Sequence, residues 1–225
     1  IDYNTQCKPD DPGLSSPDPF RSSDHDPIIV GLNLGEPEPE TVVARVDVVE
    51  KRWGKDKLVF SVEGDEAASK RIKTLEKDIN FKKAGIEISA DDGRFGPEFI
   101  NSAGKGLGVW SVFGDGFFGG SKKTVDDKES LSFELADEFE FGDAVGAKFE
   151  FGTVKGSGQV ELSFFSDDDL VEQVLLDVQN KAVDYDLMDA ASFDEVKLEL
   201  PDSLRVSVTA FEFERLIEAD AFAFV

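Results

Sequence analysis

The chain is poor in the residues that most often staple, ligate or catalyse. Its 225 residues include a single cysteine, Cys7, and a single histidine, His25. One cysteine excludes an intrachain disulfide and with it the disulfide-stapled secreted modules, although a domain of this size can rest on its core alone. One histidine excludes an internal His cluster, and no nucleophile elbow or phosphate-binding glycine loop is present. No apolar run approaches the roughly 20 residues that cross a bilayer as a helix. No signal peptide opens the sequence. The first residue is Ile1, so the sequence reads as a processed or truncated piece of something longer, with any targeting segment upstream.

Basic residues are also scarce. Lys and Arg number 24 against 48 Asp and Glu, a net charge of −24. Such a field repels phosphate backbones, so the chain alone is a poor nucleic-acid binder. It should tolerate salt and attract hard cations, Ca²⁺ or Mg²⁺ first. The plainest reading of the charge is a solvated acidic surface suited to a saline medium. Aromatics are skewed, with 20 Phe against two Tyr and two Trp. Many of these Phe alternate with polar residues, which assigns them to packing, and the hydrophobic fraction of 40% is enough for a core.

What is present divides the chain. Residues 1–27 are crowded with turn formers, as in Lys8-Pro9-Asp10-Asp11-Pro12-Gly13 and Ser16-Pro17-Asp18-Pro19. Pro27-Ile28-Ile29-Val30-Gly31-Leu32 reads as a buried strand. Gly35-Glu36-Pro37-Glu38-Pro39-Glu40 is stiff, extended and charged, and marks a linker at 35–40 between segments 1–34 and 41–225. From Thr41 the dominant period is two. Val42, Ala44, Val46 and Val48 share one face, and Leu58 to Val62 reads as another strand. Further single-face sets are Leu131, Phe133 and Leu135; Val145, Ala147, Phe149 and Phe151; and Val160, Leu162 and Phe164. Val196, Leu198 and Leu200, then Leu204, Val206, Val208 and Ala210, repeat the theme, and Ala221–Val225 is also strand-like. With Gly- and Asp-rich turns, the pattern predicts a mostly β chain forming an antiparallel β-sandwich, jelly-roll-like, with one or two short helices. The helix is expected over Asp65–Lys77, where Ala68, Ile72, Leu75 and Ile79 recur at spacings of four, three and four, with acids first and bases later. Asp168–Val178 fits a helix or a strand equally.

The stretch that carries chemistry is Arg21-Ser22-Ser23-Asp24-His25-Asp26-Pro27, leading into the apolar run. A neutral imidazole accepts a proton from water near neutral pH, and an adjacent carboxylate can hold a ring nitrogen or a divalent metal. A loop just before a buried strand fixes both on a rigid edge. By themselves an Asp and a His in a loop also fit an ordinary turn.

Ser23-Asp24-His25-Asp26-Pro27 before an apolar strand resembles the final motif of the endonuclease/exonuclease/phosphatase superfamily, which includes the pancreatic-type deoxyribonucleases. Ile1-Asp2-Tyr3-Asn4-Thr5-Gln6 and Pro17-Asp18-Pro19-Phe20 are similar to the end of large extracellular bacterial nucleases. The resemblance covers residues 1–34. It implies that His25 activates the attacking water or stabilises the scissile phosphate, that Asp24 orients it or helps hold Mg²⁺ or Ca²⁺, and that Arg21 and Ser23 lie near the phosphate. It also implies that residues 1–34 are the remnant of an αββα nuclease domain, and that the parent is extracellular or at the cell surface. The family needs a metal-binding Glu, a second His and an Asp-x-Asn element upstream. Asp78-Ile79-Asn80 has the last spacing but follows the motif that should end the domain. The chain alone is therefore expected to be inactive, and nucleic acid would be met only through the catalytic domain of the same precursor.

Residues 41–225 hold no complete catalytic constellation. Lys105 to Trp110 followed by Val125 to Phe133 resembles the glycine-rich strand and acidic turn of jelly-roll modules appended to secreted bacterial proteins, and bears on fold alone. Acidic turns that suit Ca²⁺ occur at Asp91-Asp92-Gly93, Asp115-Gly116 and Asp167-Asp168-Asp169, with Asp126, Asp127 and Glu129 the preferred set. Trp53, Trp110, Phe117 and Phe118 offer aromatic faces for a sugar, or ordinary core packing. Two other readings of the β domain stand beside an accessory role: a self-assembling surface protein into whose open sheet the strand Ile28–Leu34 inserts, and a Ca²⁺-dependent module for a surface polysaccharide.

Overall fold

The computed structural model describes residues 40–49, 56–62, 65–73, 75–91, 98–101, 106–111, 124–135, 144–188 and 191–217. All fall in the compact unit Pro39–Val225. Their strands are β1 (Glu40–Val49), β2 (Lys57–Val62), β3 (Asp65–Arg71), β4 (Leu75–Glu76), β5 (Asp78–Phe81), β6 (Ile86–Asp91), β7 (Glu98–Asn101) and β8 (Gly108–Ser111). They continue as β9 (Ser130–Leu135), β10 (Ala144–Lys155), β11 (Gln159–Ser166), β12 (Asp169–Asp177), β13 (Ala182–Asp186), β14 (Glu195–Glu199) and β15 (Arg205–Ile217). Two six-stranded sheets result, with orders β13-β10-β15-β1-β2-β3 and β12-β11-β14-β9-β6-β5, beside a small sheet β4-β7-β8. The ladders are antiparallel, as the period-two pattern predicts.

Phenylalanine holds the two large sheets face to face. Phe133 on β9 lies 5.0 Å from Phe149 on β10 and 4.7 Å from Phe211 on β15, ring centroid to centroid. Phe60 on β2 meets Phe81 on β5 at 6.2 Å, and Phe164 on β11 stacks on Tyr185 on β13 at 5.8 Å. Cross-sheet ring pairs thus run from one end of the sandwich to the other. Phe133, Phe149, Phe164, Phe193, Phe211 and Phe213 are fully buried. Each contributes about 1.5–3 kcal/mol of burial, plus the geometric preference of tilted and edge-on rings. Of the alternating sets, Ala44 and Val46, Leu58 and Phe60, Leu131, Phe133 and Leu135, Val160, Leu162 and Phe164, and Val196, Leu198 and Leu200 all point into this core.

Strict alternation fails at bulges, which occur on the β2–β3, β11–β12 and β10–β15 ladders. The β10–β15 register slips between Ala144 and Gly146 and again around Phe151. At the first slip Val145 becomes the extra residue and is only half-buried, while Ala144 and Ala147 are both buried. At the second, Glu150 opposes Ala210 and Phe151 opposes Val208, so Thr209 is extra, Val208 and Phe211 both enter the core, and Ala210 is buried on the outer face between Asp47 and Glu150. A bulge shifts side-chain parity without ending the strand.

The helix expected over Asp65–Lys77 is not formed; β3, a turn and β4 occupy that stretch. A spacing of four is even, so Ala68 and Ile72 share a face in a strand as well as in a helix. Both are buried, Lys70 between them reaches the Asn80 carbonyl at 2.8 Å, and the Ile72 N–H donates to the Asp56 carbonyl at 3.1 Å. Leu75, the residue that only the helical period needs, is exposed. Pairing with β2 wins over local propensity. Asp168–Val178 resolves to strand β12. Described residues contain no helix long and apolar enough to cross a membrane. The segments Ile28–Leu34 and Ala221–Val225, read as strands from sequence, lie outside the described residues.

Candidate functional site

Asp24, His25, Arg21, Ser23, Trp53, Phe117 and Phe118 lie outside the described residues, as do Asp92, Gly93, Asp115 and Gly116 of the acidic turns. The other sequence candidates are placed. Trp110 sits on β8, half-buried, with its ring 5.6 Å from that of Phe99 on β7, so it packs within the small sheet. Asp126 and Glu129 are buried and Asp127 is exposed. The Glu129 carboxylate accepts from the Asp126 N–H at 2.9 Å, and the Glu129 N–H donates to the Asp126 carbonyl at 3.0 Å. Arg205 lies 3.8 Å from the Asp126 carboxylate. Together these contacts close a turn leading into β9. Among the described residues no group of three or more acidic, His or Cys side chains is arranged to hold a metal ion.

The patterned stretches 105–110 and 125–133 have a structural role. Leu107 and Val125 each bridge to β15, at Val208 and Val206, through hydrogen bonds of 2.7–3.1 Å. Gly106 adopts φ 120°, and a Cβ there would overlap the Val208 carbonyl that the Leu107 N–H uses. Only glycine fits such a position. Asp167 and Asp168 have φ of 51° and 68° and form the two-residue turn of the β11–β12 hairpin. Both signs match a type I′ turn, which Asp tolerates. The Asp167 N–H is held by Asp194 at 3.0 Å.

Two polar faces remain, one on the outside of each large sheet. On the first, the registers align Asp184, Lys148, Glu212 and Arg45 in one row across β13, β10, β15 and β1. Charges alternate along it. Arg45 makes a fork to Glu150 at 2.9 and 3.0 Å, reaches Asp47 at 2.8 Å and also pairs with Glu212. Lys148 reaches Glu212 at 3.2 Å. The fork to Arg45 holds the Glu150 carboxyl below its usual range, and the same hydrogen bond raises the Arg45 guanidinium above its own. A shallow depression of about 120 Å³ opens beside this row, where the Asp186 side chain folds over Gly146. Its cations are already paired, so this face reads as a structural clasp across four strands.

The second face is different. Glu87, Glu134 and Glu195 stand directly opposite one another across β6, β9 and β14. Like charges in register destabilise a sheet. Desolvation on the sheet, then Glu87, Glu195, Asp194 and Asp168, raise the Glu134 carboxyl above its usual range. The neighbouring row is Gln173, Ser163, Lys197, Ser132, Ser89 and Asp78, and the next aligns Leu175, Glu161, Glu199, Ser130 and Asp91. Small hydroxyl-bearing residues therefore run between two acidic rows. Sequence reasoning missed this face, because each Glu is unremarkable within its own strand and only the register brings the three together. No family model, no curated protein and no solved structure matches the chain.

Proposed function

We propose that the β-sandwich is the accessory module of a secreted, metal-dependent nuclease or phosphodiesterase, and that Asp24 and His25 belong to the last catalytic edge of the domain preceding it. The observation that carries this reading is Ser23-Asp24-His25-Asp26-Pro27 followed by an apolar run and a Pro/Glu segment. Two features of the sandwich support a role outside the chemistry. Its core is closed by its own phenylalanines, so it can fold as a unit and anchor or stabilise a neighbour. Its second face sets three glutamates in register and holds the middle one above the usual carboxylate range, which leaves contact with a polyanionic substrate to the preceding domain. Mg²⁺ or Ca²⁺ would be held by that domain.

The test is activity of the parent polypeptide against a DNA duplex and a phosphodiester model substrate in Mg²⁺ or Ca²⁺. Metal-dependent cleavage that falls by at least a hundredfold in His25→Ala, with the 225-residue chain alone inactive, is the expected outcome. Full activity in the His25→Ala parent would exclude the assignment.

A further inference from the structure

We infer that the open edge of β12 is a docking edge for an extended peptide strand with an apolar centre and basic ends. The inference concerns the sandwich alone and does not depend on the nuclease reading. Among the described residues four strands end the two large sheets: β13, β3, β12 and β5. β3 carries Lys70 and Arg71, β13 is five residues long with Asp184 and Asp186, and β5 has only four residues. Short length and charge are ordinary guards of an exposed edge. β12 is the longest of the four at nine residues, Asp-Leu-Val-Glu-Gln-Val-Leu-Leu-Asp, with no Lys, Arg, Pro or Gly. Its acids are the two ends and the inward-held Glu172, and its one bulge falls at Val171, which leaves Gln173–Leu176 regular and uncharged. Among the described residues it pairs along one side only, with β11.

Its side chains fit the same purpose. Val174 and Leu176 pack on the core, and Glu172 is held by the Tyr185 hydroxyl at 2.5 Å and the Met188 N–H at 3.2 Å, so the strand is rigidly seated. Leu170, Val171 and Leu175 are 54, 38 and 52% exposed. An incoming strand would cover these apolar side chains and satisfy the row of backbone groups that no described strand pairs, the two components of strand addition.

Charge selects the occupant. Asp167, Asp168 and Asp169 stand at one end of β12 and Asp177 at the other. A second copy would bring together two edges that both end in Asp169 and Asp177, on two chains of −24 each. A strand with basic residues at both ends meets carboxylates at both ends instead.

The probe is a blocked nine-residue peptide alternating valine and threonine with lysine at each end, titrated into the full chain by fluorescence anisotropy. Its control is the same peptide N-methylated at the amides that face β12, which keeps charge and side chains. Expected are saturable binding, at least tenfold weaker binding of the methylated peptide, and at least tenfold weaker binding to Leu175→Asp. That substitution adds a carboxylate, so attraction by charge alone would tighten binding. Val171→Asp serves as a second variant, and an unchanged melting temperature confirms that each still folds. Equal binding of both peptides, or undiminished binding to both variants, overturns the inference. So does a dimer of the wild-type chain in sedimentation that Leu175→Asp dissolves, since a second copy would then occupy the edge.

Discussion

At the scale of single residues, the contacts with most consequence join the two sheets. Phe133 is fully buried and touches rings on both β10 and β15. Phe133→Ala should lower stability by about 3–5 kcal/mol, because lost transfer energy adds to an unfilled cavity. Urea unfolding would show the loss as a lower midpoint with an unchanged slope. Tyr185 makes another cross-sheet link. Its hydrogen bond to Glu172, then burial and the charge of Glu172, push its hydroxyl up to about 12 from an ordinary 10.0. The folded state therefore keeps this proton at a pH where the unfolded chain has lost it. Stability should be insensitive to this group below about pH 10 and fall between about 10 and 12. Tyr185→Phe should remove that alkaline fall, and the phenolate absorbance step near pH 12, from the native protein.

At the scale of elements, charge rows act differently on the two sheets. The fork from Arg45 lowers the Glu150 value, so its contribution is present above the unfolded carboxylate value and is lost as pH falls through the folded one. Glu150→Gln should cost roughly 0.5–1 kcal/mol at neutral pH, after discounting for its partial exposure, and should flatten the acid limb of a urea-midpoint profile below about pH 4.5. Glu134 has the opposite sign. Its raised value means that ionisation costs the folded state, so its penalty grows as pH rises through the carboxylate range. Glu134→Gln should leave acid stability unchanged and raise neutral stability by up to about 0.5 kcal/mol.

Much of this architecture was legible in the sequence, and the exceptions have physical causes. The sets around Phe133, Phe164 and Leu198 were readable because alternation in a half-buried strand is enforced by the core. Val145 and Ala210 were misjudged because a bulge changes parity with no sequence mark of its own. Ala68 and Ile72 were misread because a spacing of four serves both periods. The Glu87–Glu134–Glu195 row depends on register between strands far apart in sequence, which no local pattern encodes. Trp110 and the Asp126–Glu129 turn were legible as distinctive residues, and the structure gives both packing and turn-closing contacts.

At the scale of the whole molecule, a charge of −24 acts on every element at once. Self-repulsion opposes the compact state and weakens as the screening length falls from about 30 Å at 0.01 M to about 10 Å at 0.1 M salt. The melting temperature should therefore rise by several degrees over that range of NaCl, and more steeply than for a neutral sandwich of equal size. A flat salt profile in calorimetry would mean that the rows on the first sheet already neutralise the field locally.

The position of β15 has a consequence for how the protein is made. It lies between β10 and β1 in the first sheet, and its leading half also receives Leu107 and Val125. A nascent chain still lacking residues 205–217 has every neighbour of that strand and no keystone to join them. Vectorial folding on the ribosome must then stall in an open, phenylalanine-rich intermediate that closes only once residues 205–217 have emerged. Chaperone demand during translation should concentrate in the interval before that strand emerges.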